Sequence, residues 1–221
     1  MRIGLREKGK ARRRSEVLSA ASTLWRLQGV THVTLAQIAD AAEVSAQTIY
    51  NLIGGVDELK IAVVEALLDR LDEAVEGSEE RGVARSIQRA LMSARLFAAD
   101  PGLYRQVLVG IPQAVFDGAR LSRDGSDFQR TALIEAQGLG ELRPDTDILA
   151  LAGQIHLQYL GGLFSWACGA LNEAQFIRAT ELGVLSILAV GAEEPIRSNL
   201  ARRIERLVAV KRPALVAVDG G

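Results

Sequence analysis

Residues 34–53 read TLAQIADAAEVSAQTIYNLI, and the rest of the chain is best read outward from them. Thr34 is a good helix N-cap, and Gln37 three residues on completes a capping box. Ile38, Ala39 and Ala42 then fall on one helical face. Val44 closes a tight turn, Ser45 caps a second helix, and Ile49, Leu52 and Ile53 form that helix's inner face. Ala39 suits a steep crossing of two helices, where the closest approach demands a small side chain. Glu43 occupies a turn position where a positive φ favours glycine. The outer face of the second helix presents Ala46, Gln47, Thr48, Tyr50 and Asn51. Gln and Asn amides pair with adenine edges, while Thr and Tyr hydroxyls reach phosphates. Two short helices divided in this way form a helix-turn-helix, which lays its second helix in the DNA major groove. A plain helical hairpin inside a larger bundle is the competing reading of the same residues.

The flanks favour DNA. Residues 1–14 hold seven cations, including Arg12, Arg13 and Arg14, against the single acid Glu7, within a chain of net charge −1. A basic arm therefore precedes an acidic body, which is an electrostatic footprint for nucleic acid. A first helix is expected over 13–28, with Val17, Leu18, Ala21, Leu24 and Trp25 in one apolar stripe and Gly29 as its C-cap.

With these residues in place, 13–59 resembles the DNA-binding domain of the TetR family of transcriptional regulators. The resemblance rests on Val17-Leu18, Ala21, Leu24-Trp25, Gly29, Thr34, Ile38-Ala39, Ala42, Val44-Ser45, Thr48-Ile49-Tyr50 and Leu59. It implies an all-α protein: a three-helix DNA-binding head with a helix-turn-helix on a helical effector-binding and dimerisation domain. The corresponding division is a basic N-terminal arm (1–12), a DNA-binding domain (13–56), a ligand-binding and dimerisation domain (57–212) and a flexible tail (213–221). It also implies a homodimer on a palindromic operator in double-stranded DNA, acting as a repressor and released by a small hydrophobic or aromatic effector. The expected DNA contacts are Arg12, Arg13, Arg14, Thr34, Ser45, Gln47, Thr48, Tyr50 and Asn51. One departure stands out. Where the family usually has an aromatic residue and then a phosphate-contacting Lys, this chain has Ile53 and Val56, separated by Gly54-Gly55. A lost phosphate contact weakens binding. The alternative is a helical ligand-binding or protein-interaction module with weakened DNA binding.

Composition bounds the remainder. A hydrophobic content of 48% over 221 residues supports a sizeable core. Cys168 is the lone cysteine, so no intrachain disulfide is expected, and it reads as an inert, buried residue in a reducing cytoplasm. The basic N-terminus is followed by no apolar signal segment. His32 and His156 are far apart, so no metal site is expected, and no cofactor is called for. No GxSxG or HExxH occurs, and Gly138-Leu139-Gly140 is too short for a dinucleotide fingerprint, so no enzyme is expected.

Past residue 57 the chain reads as helices over 57–76, 83–99, 102–109, 112–137 (broken near 124–125), 145–171, 174–192 and 195–211. Ile148 to Leu171 carries no Asp, Glu, Lys or Arg over 24 residues, a membrane-spanning length. Gln154, His156 and Gln158 interrupt it and no Lys or Arg flanks it, so a helix buried within a dimer is expected, not a membrane span. At 100° per residue it divides into two faces. Gln158, Gly161, Gly162, Ser165 and Gly169 form a small or polar face, assigned to the dimer. His156, Tyr159 and Trp166 lie opposite and, with Phe97, Tyr104 and Phe116, are the candidate lining of an effector pocket.

Overall fold

The computed structural model describes residues 5–120, 122 and 124–209. Among these the chain forms ten α-helices and one short 3-10 turn, Val30–His32, with no strand. The helices are α1 (Leu5–Gln28), α2 (Leu35–Ala41), α3 (Ala46–Leu52), α4 (Val56–Glu76), α5 (Gly82–Ala98), α6 (Pro101–Phe116), α7 (Asp127–Gly138), α8 (Ile148–Ala167), α9 (Glu173–Gly191) and α10 (Ile196–Val208).

Two hydrophobic cores organise them. The first begins in the head, where Val17, Ala21 and Trp25 of α1 meet Ile38 and Ala39 of α2 and Ile49 of α3, all buried. It continues through Leu59 of α4 into Phe97, Leu103 and Val107, so head and body share one apolar seam. The second core joins α5, α7, α8, α9 and α10 around Ile87, Leu133, Ile155, Leu185, Leu188 and Leu200. Buried aliphatic side chains contribute about 1.5–3 kcal/mol each, so both cores outweigh the weak propensity of the two short head helices.

Several elements differ from the sequence reading. The basic segment is not a separate arm over its described part: α1 begins at Leu5, so residues 5–12 are its first two turns. Residues 1–4 and the tail 213–221 lie outside the described residues. Pro112 does not end a helix, because α6 runs through it from Pro101 to Phe116. Proline inside a helix costs about 3 kcal/mol, but Leu103, Val107, Leu108, Ile111 and Ala114 bury one continuous stripe on both sides of it, and that burial is larger. The expected long helix over 112–137 is therefore two, with a connection at 117–126. The helix expected over 145–171 is shorter, with Asp147 accepting from the Ala150 amide as its N-cap and Cys168 at its C-cap. Cys168 is exposed, not buried, because the helix ends there against solvent. By length and composition α9 is apolar enough to cross a membrane. Here Phe176, Val184, Leu185 and Leu188 bury its inner face in the body.

The double glycine before α4 is not slack. Gly55 donates its N–H to the Glu58 carboxylate at 2.9 Å. Gly54 takes φ +125°, and a Cβ there would come within 2.8 Å of the Glu58 side chain. Ile53 and Val56, which stand where an aromatic and a Lys were anticipated, both pack on the head core.

Candidate nucleic-acid interface and ligand cavity

The head builds its exposed helix from local bonds. Thr34 Oγ1 accepts from the Gln37 amide at 3.3 Å, and Gln37 Oε1 accepts from the Thr34 amide at 2.8 Å, completing the capping box. Ser45 Oγ accepts from the Thr48 amide at 3.1 Å and lies 2.8 Å from the Thr48 hydroxyl. The Val44 N–H donates to Ala39 at 3.0 Å across the turn, and Glu43 takes φ +52°, as its turn position requires.

The expected DNA contacts fall into three groups. Thr34, Ser45 and Thr48 have hydroxyls engaged in capping. Gln47, Tyr50 and Asn51 present outward from α3, Tyr50 at 57% exposure. Gln47 Nε2 donates to Asn51 Oδ1 at 3.1 Å, so two amides one turn apart are held as a pair. Arg12 and Arg13 are exposed and Arg14 is half-buried on α1. Arg12 and Arg13 rim an open trough whose far wall is Ala41, Ala42, Glu43 and Val44 of the turn, which sets their charge beside the helix-turn-helix. Arg12 also pairs with Glu16 at 3.7 Å.

In the body, α4, α5, α6, α7 and α8 enclose a cavity of about 540 Å³. That lies in the range of drug-sized ligand sites. Of the six residues expected to line a pocket, Phe97, His156 and Tyr159 do so. The other three do not line this cavity. Tyr104 is buried edge-on against Phe97, with ring centroids 5.1 Å apart. Trp166 is buried on the far side of α8, stacked on Phe176 at 5.5 Å with Arg105 over its ring. Phe116 is 85% exposed, because the end of α6 turns it outward.

Of the remaining lining, Leu160 and Leu163 lie on the face of α8 assigned with His156 and Tyr159 to the core or cavity, and the other residues were not anticipated. Val64 and Leu68 come from α4, Arg89 and Ser93 from α5, Leu108 and Ile111 from α6, Phe128 from α7, and Leu160 and Leu163 from α8. Their signal was spacing, not aromaticity: Arg89, Ser93 and Phe97 recur at i, i+4, i+8, and His156, Tyr159, Leu160 and Leu163 at i, i+3, i+4, i+7.

Several polar groups of the cavity are paired. Arg89 donates to Asp72 Oδ1 at 3.1 and 2.9 Å, and its guanidinium lies 4.4 Å from the centre of the Phe128 ring. The Ser93 and Tyr159 hydroxyls are 2.6 Å apart. Burial pushes the Tyr159 phenol well above its ordinary range, more than the Ser93 bond and the charge of Arg89 lower it. Burial lowers the His156 imidazole, Asp124 opposes that shift and Arg89 adds to it. Asp124 itself is held low by bonds from the Ser126 amide and hydroxyl, both 2.8 Å.

The residues expected at a dimer interface separate. Gln158 Nε2 donates to the Ala179 carbonyl at 3.1 Å, and Gly162 lies against the Phe176 ring, so both serve the packing of α8 on α9 within the chain. Ser165 Oγ donates to the Gly161 carbonyl at 2.7 Å. Gly169 takes φ +82° just past the helix end. The outward side of α8 carries Gln154, Leu157 and Gly161, with Leu157 61% exposed.

No family model matches the sequence, and no curated protein sequence matches it either. Solved structures do. SmeT, the repressor of the Stenotrophomonas maltophilia multidrug efflux pump SmeDEF, is similar at TM-score 0.60 and 23% identity, over 83% of this chain and 92% of that one. TylP, a TetR regulator from Streptomyces fradiae, is similar at TM-score 0.59 and 19% identity, over 89% and 96%. The TetR family protein CprB from S. coelicolor A3(2) is similar at TM-score 0.58 and 17% identity, over 89% and 97%. This chain has the fold of the TetR-family transcriptional regulators.

Proposed function

We propose that the protein is a ligand-responsive transcriptional regulator, a repressor, that binds a palindromic operator as a homodimer and lets go when a small molecule enters the body cavity. One observation carries the reading. The helices that wall the cavity are also the helices that hold the head. α4 contributes Val64, Leu68 and Asp72 to the cavity and Leu59 to the head core. α6 contributes Leu108, Ile111 and Pro112 to the cavity. From its other end, Gln106 Oε1 accepts from the Val30 amide at 3.0 Å and the Asp100 carboxylate accepts from Nε and Nη2 of Arg26. A ligand that prefers one arrangement of α4 and α6 therefore prefers one arrangement of the head. A coupling of about 1–3 kcal/mol changes DNA affinity roughly 5–150-fold.

In this reading Gln47, Tyr50 and Asn51 face the major groove, Thr34, Ser45 and Thr48 set the pose of α3, and Arg12, Arg13 and Arg14 lie toward the backbone. The outward faces of α8 and α9, which carry Leu157, Gly161 and Val190, supply the dimer contact and set the two heads about 34 Å apart. Fluorescence anisotropy on the DNA upstream of its own gene tests the head. Gln47→Ala and Tyr50→Ala should each weaken binding by about 1–3 kcal/mol while leaving helix content intact. Unchanged binding by both variants refutes the regulator. The second reading, a helical ligand-binding or protein-interaction module, draws on Ile53 and Val56, whose packing on the head core leaves no cation there for a phosphate.

A further inference from the structure

We infer that the cavity takes an uncharged, largely apolar molecule ending in one hydroxyl or carbonyl group, and that this group seats among Ser93, Tyr159 and His156. The inference rests on the effector-cavity reading above and names its ligand class.

The cavity is not uniform. Its body is walled by Val64, Leu68, Leu108, Ile111, Leu160 and Leu163, which offer a ligand no hydrogen bond. At one side it adjoins a niche of about 20 Å³. Arg89, Ser93, Gly125, His156 and Tyr159 line both spaces. A niche of that size admits one water-sized group. Gly125 lies against the imidazole, and a Cβ there would come within 2.2 Å of the ring, so a larger residue would displace His156.

The niche has hydrogen-bonding capacity to spare. Ser93 is 1% exposed, and its Oγ is 2.6 Å from the Tyr159 hydroxyl. That bond uses one of two hydroxyl protons, leaving the other as a donor and several lone pairs as acceptors. Burial keeps the His156 imidazole neutral at pH 7, with one ring nitrogen to donate and one to accept. A hydroxyl or carbonyl group satisfies these atoms, whereas an alkyl end leaves them dry and unmet.

Charge selects against the alternatives. Among the described residues, Glu65, Asp72, Glu76, Asp124 and Asp127 line the cavity together with the guanidinium of Arg89, a set that disfavours a carboxylate or phosphate. An ammonium group in the niche would lie beside that same guanidinium, whose carboxylate partner is Asp72.

Calorimetry on the full chain at pH 7 tests this with four probes of equal chain length: 1-octanol, 1-chlorooctane, octylammonium and octanoate. The expected result is that 1-octanol binds about tenfold more tightly than 1-chlorooctane and more tightly than either ion. Tyr159→Phe and Ser93→Ala should each cut the octanol-to-chlorooctane ratio severalfold, a ratio that small losses of stability do not move. Ile111→Trp, which fills the body, should abolish binding of all four. Preference for octanoate or octylammonium, or an octanol preference that survives both niche variants, overturns the ligand class and leaves the cavity standing. Failure of every probe to bind removes the effector cavity itself, and this inference with it.

Discussion

Gly161→Leu separates the dimer from the monomer by the sign of its effect. Gly161 is exposed in the middle of α8, and a Cβ built on it meets nothing within 4 Å. Within a single chain the substitution has only helix propensity to act on, and Gly is about 0.8–1.0 kcal/mol worse than Ala in a helix interior. The isolated fold should therefore gain nearly that amount. In a two-fold dimer through this face the same change acts twice, because the same residue is contributed by both subunits. Overpacking a close contact costs about 1–3 kcal/mol per site, so the two sites together cost about 2–6 kcal/mol. At about 1.4 kcal/mol per tenfold, the dimer dissociation constant rises by roughly 30-fold or more. Sedimentation velocity across a concentration series reads the dissociation constant, and thermal unfolding at a concentration below it reads the monomer. The expected pair of results is a weaker dimer of a more stable chain. A dimer of unchanged affinity would show that α8 does not approach its partner at Gly161, and the dimer face would have to be sought elsewhere.

Two further outcomes follow from buried polar groups. Since the folded protein lowers the His156 pKa, the unfolded chain binds more protons between that lowered value and the ordinary value of about 6.5. Stability should fall as pH drops from 7.5 through 6.5 to 5.5, and His156→Gln should flatten that part of the profile; parallel melting curves for the two proteins would rule it out. Ser86 is fully buried and donates to Gln129 Oε1 at 2.6 Å, so Ser86→Ala strands a buried amide. The expected loss is about 1–3 kcal/mol, or roughly 2–4 °C in Tm for each kcal/mol at this chain length, and calorimetry showing no shift would mean that water reaches Gln129.

The head was legible because its information is local. Capping residues, the φ-positive turn at Glu43 and the apolar stripe of α1 lie within a few residues of what they specify. The exposed face of α3 could be listed for the same reason. The cavity was not legible in this way, since it is a void between five helices, and which side chain reaches it depends on how far each helix rotates in the packed body. Aromatic identity was a poor guide: Trp166 and Tyr104 are large enough to be claimed by the core, and Phe116 was left outside it. Arg89, Ser93 and Phe97 stood at helical spacing in plain sight, but nothing local distinguishes a stripe that lines a void from one that fills it. A related point holds for Gln158 and Gly162, which were assigned to the dimer and also pack on α9 within the chain. A small or polar face on a helix suits a close approach by any neighbour, and here the neighbour is α9 of the same chain.

The strength of the ties between head and body bears on whether the fold can switch. Arg26 and Asp100 form a close ion pair through Nε and Nη2, and the carboxylate pushes the guanidinium pKa up. The pair is nevertheless substantially exposed, with Arg26 at 45%, and exposed pairs contribute only about 0.2–1 kcal/mol. The Val30 amide bond to Gln106 contributes about another 0.5–1.5 kcal/mol. Together the two ties reach the 1–3 kcal/mol that coupling between distant sites typically commands. They are strong enough to bias the head toward one pose on α6, and weak enough for a ligand pressing on Leu108 and Ile111 to overcome. The shared core around Leu59, Phe97 and Val107 is a much larger connection, and breaking it would unfold the head. In the proposed switch, a shift of α6 exchanges these two polar contacts while the apolar seam stays intact.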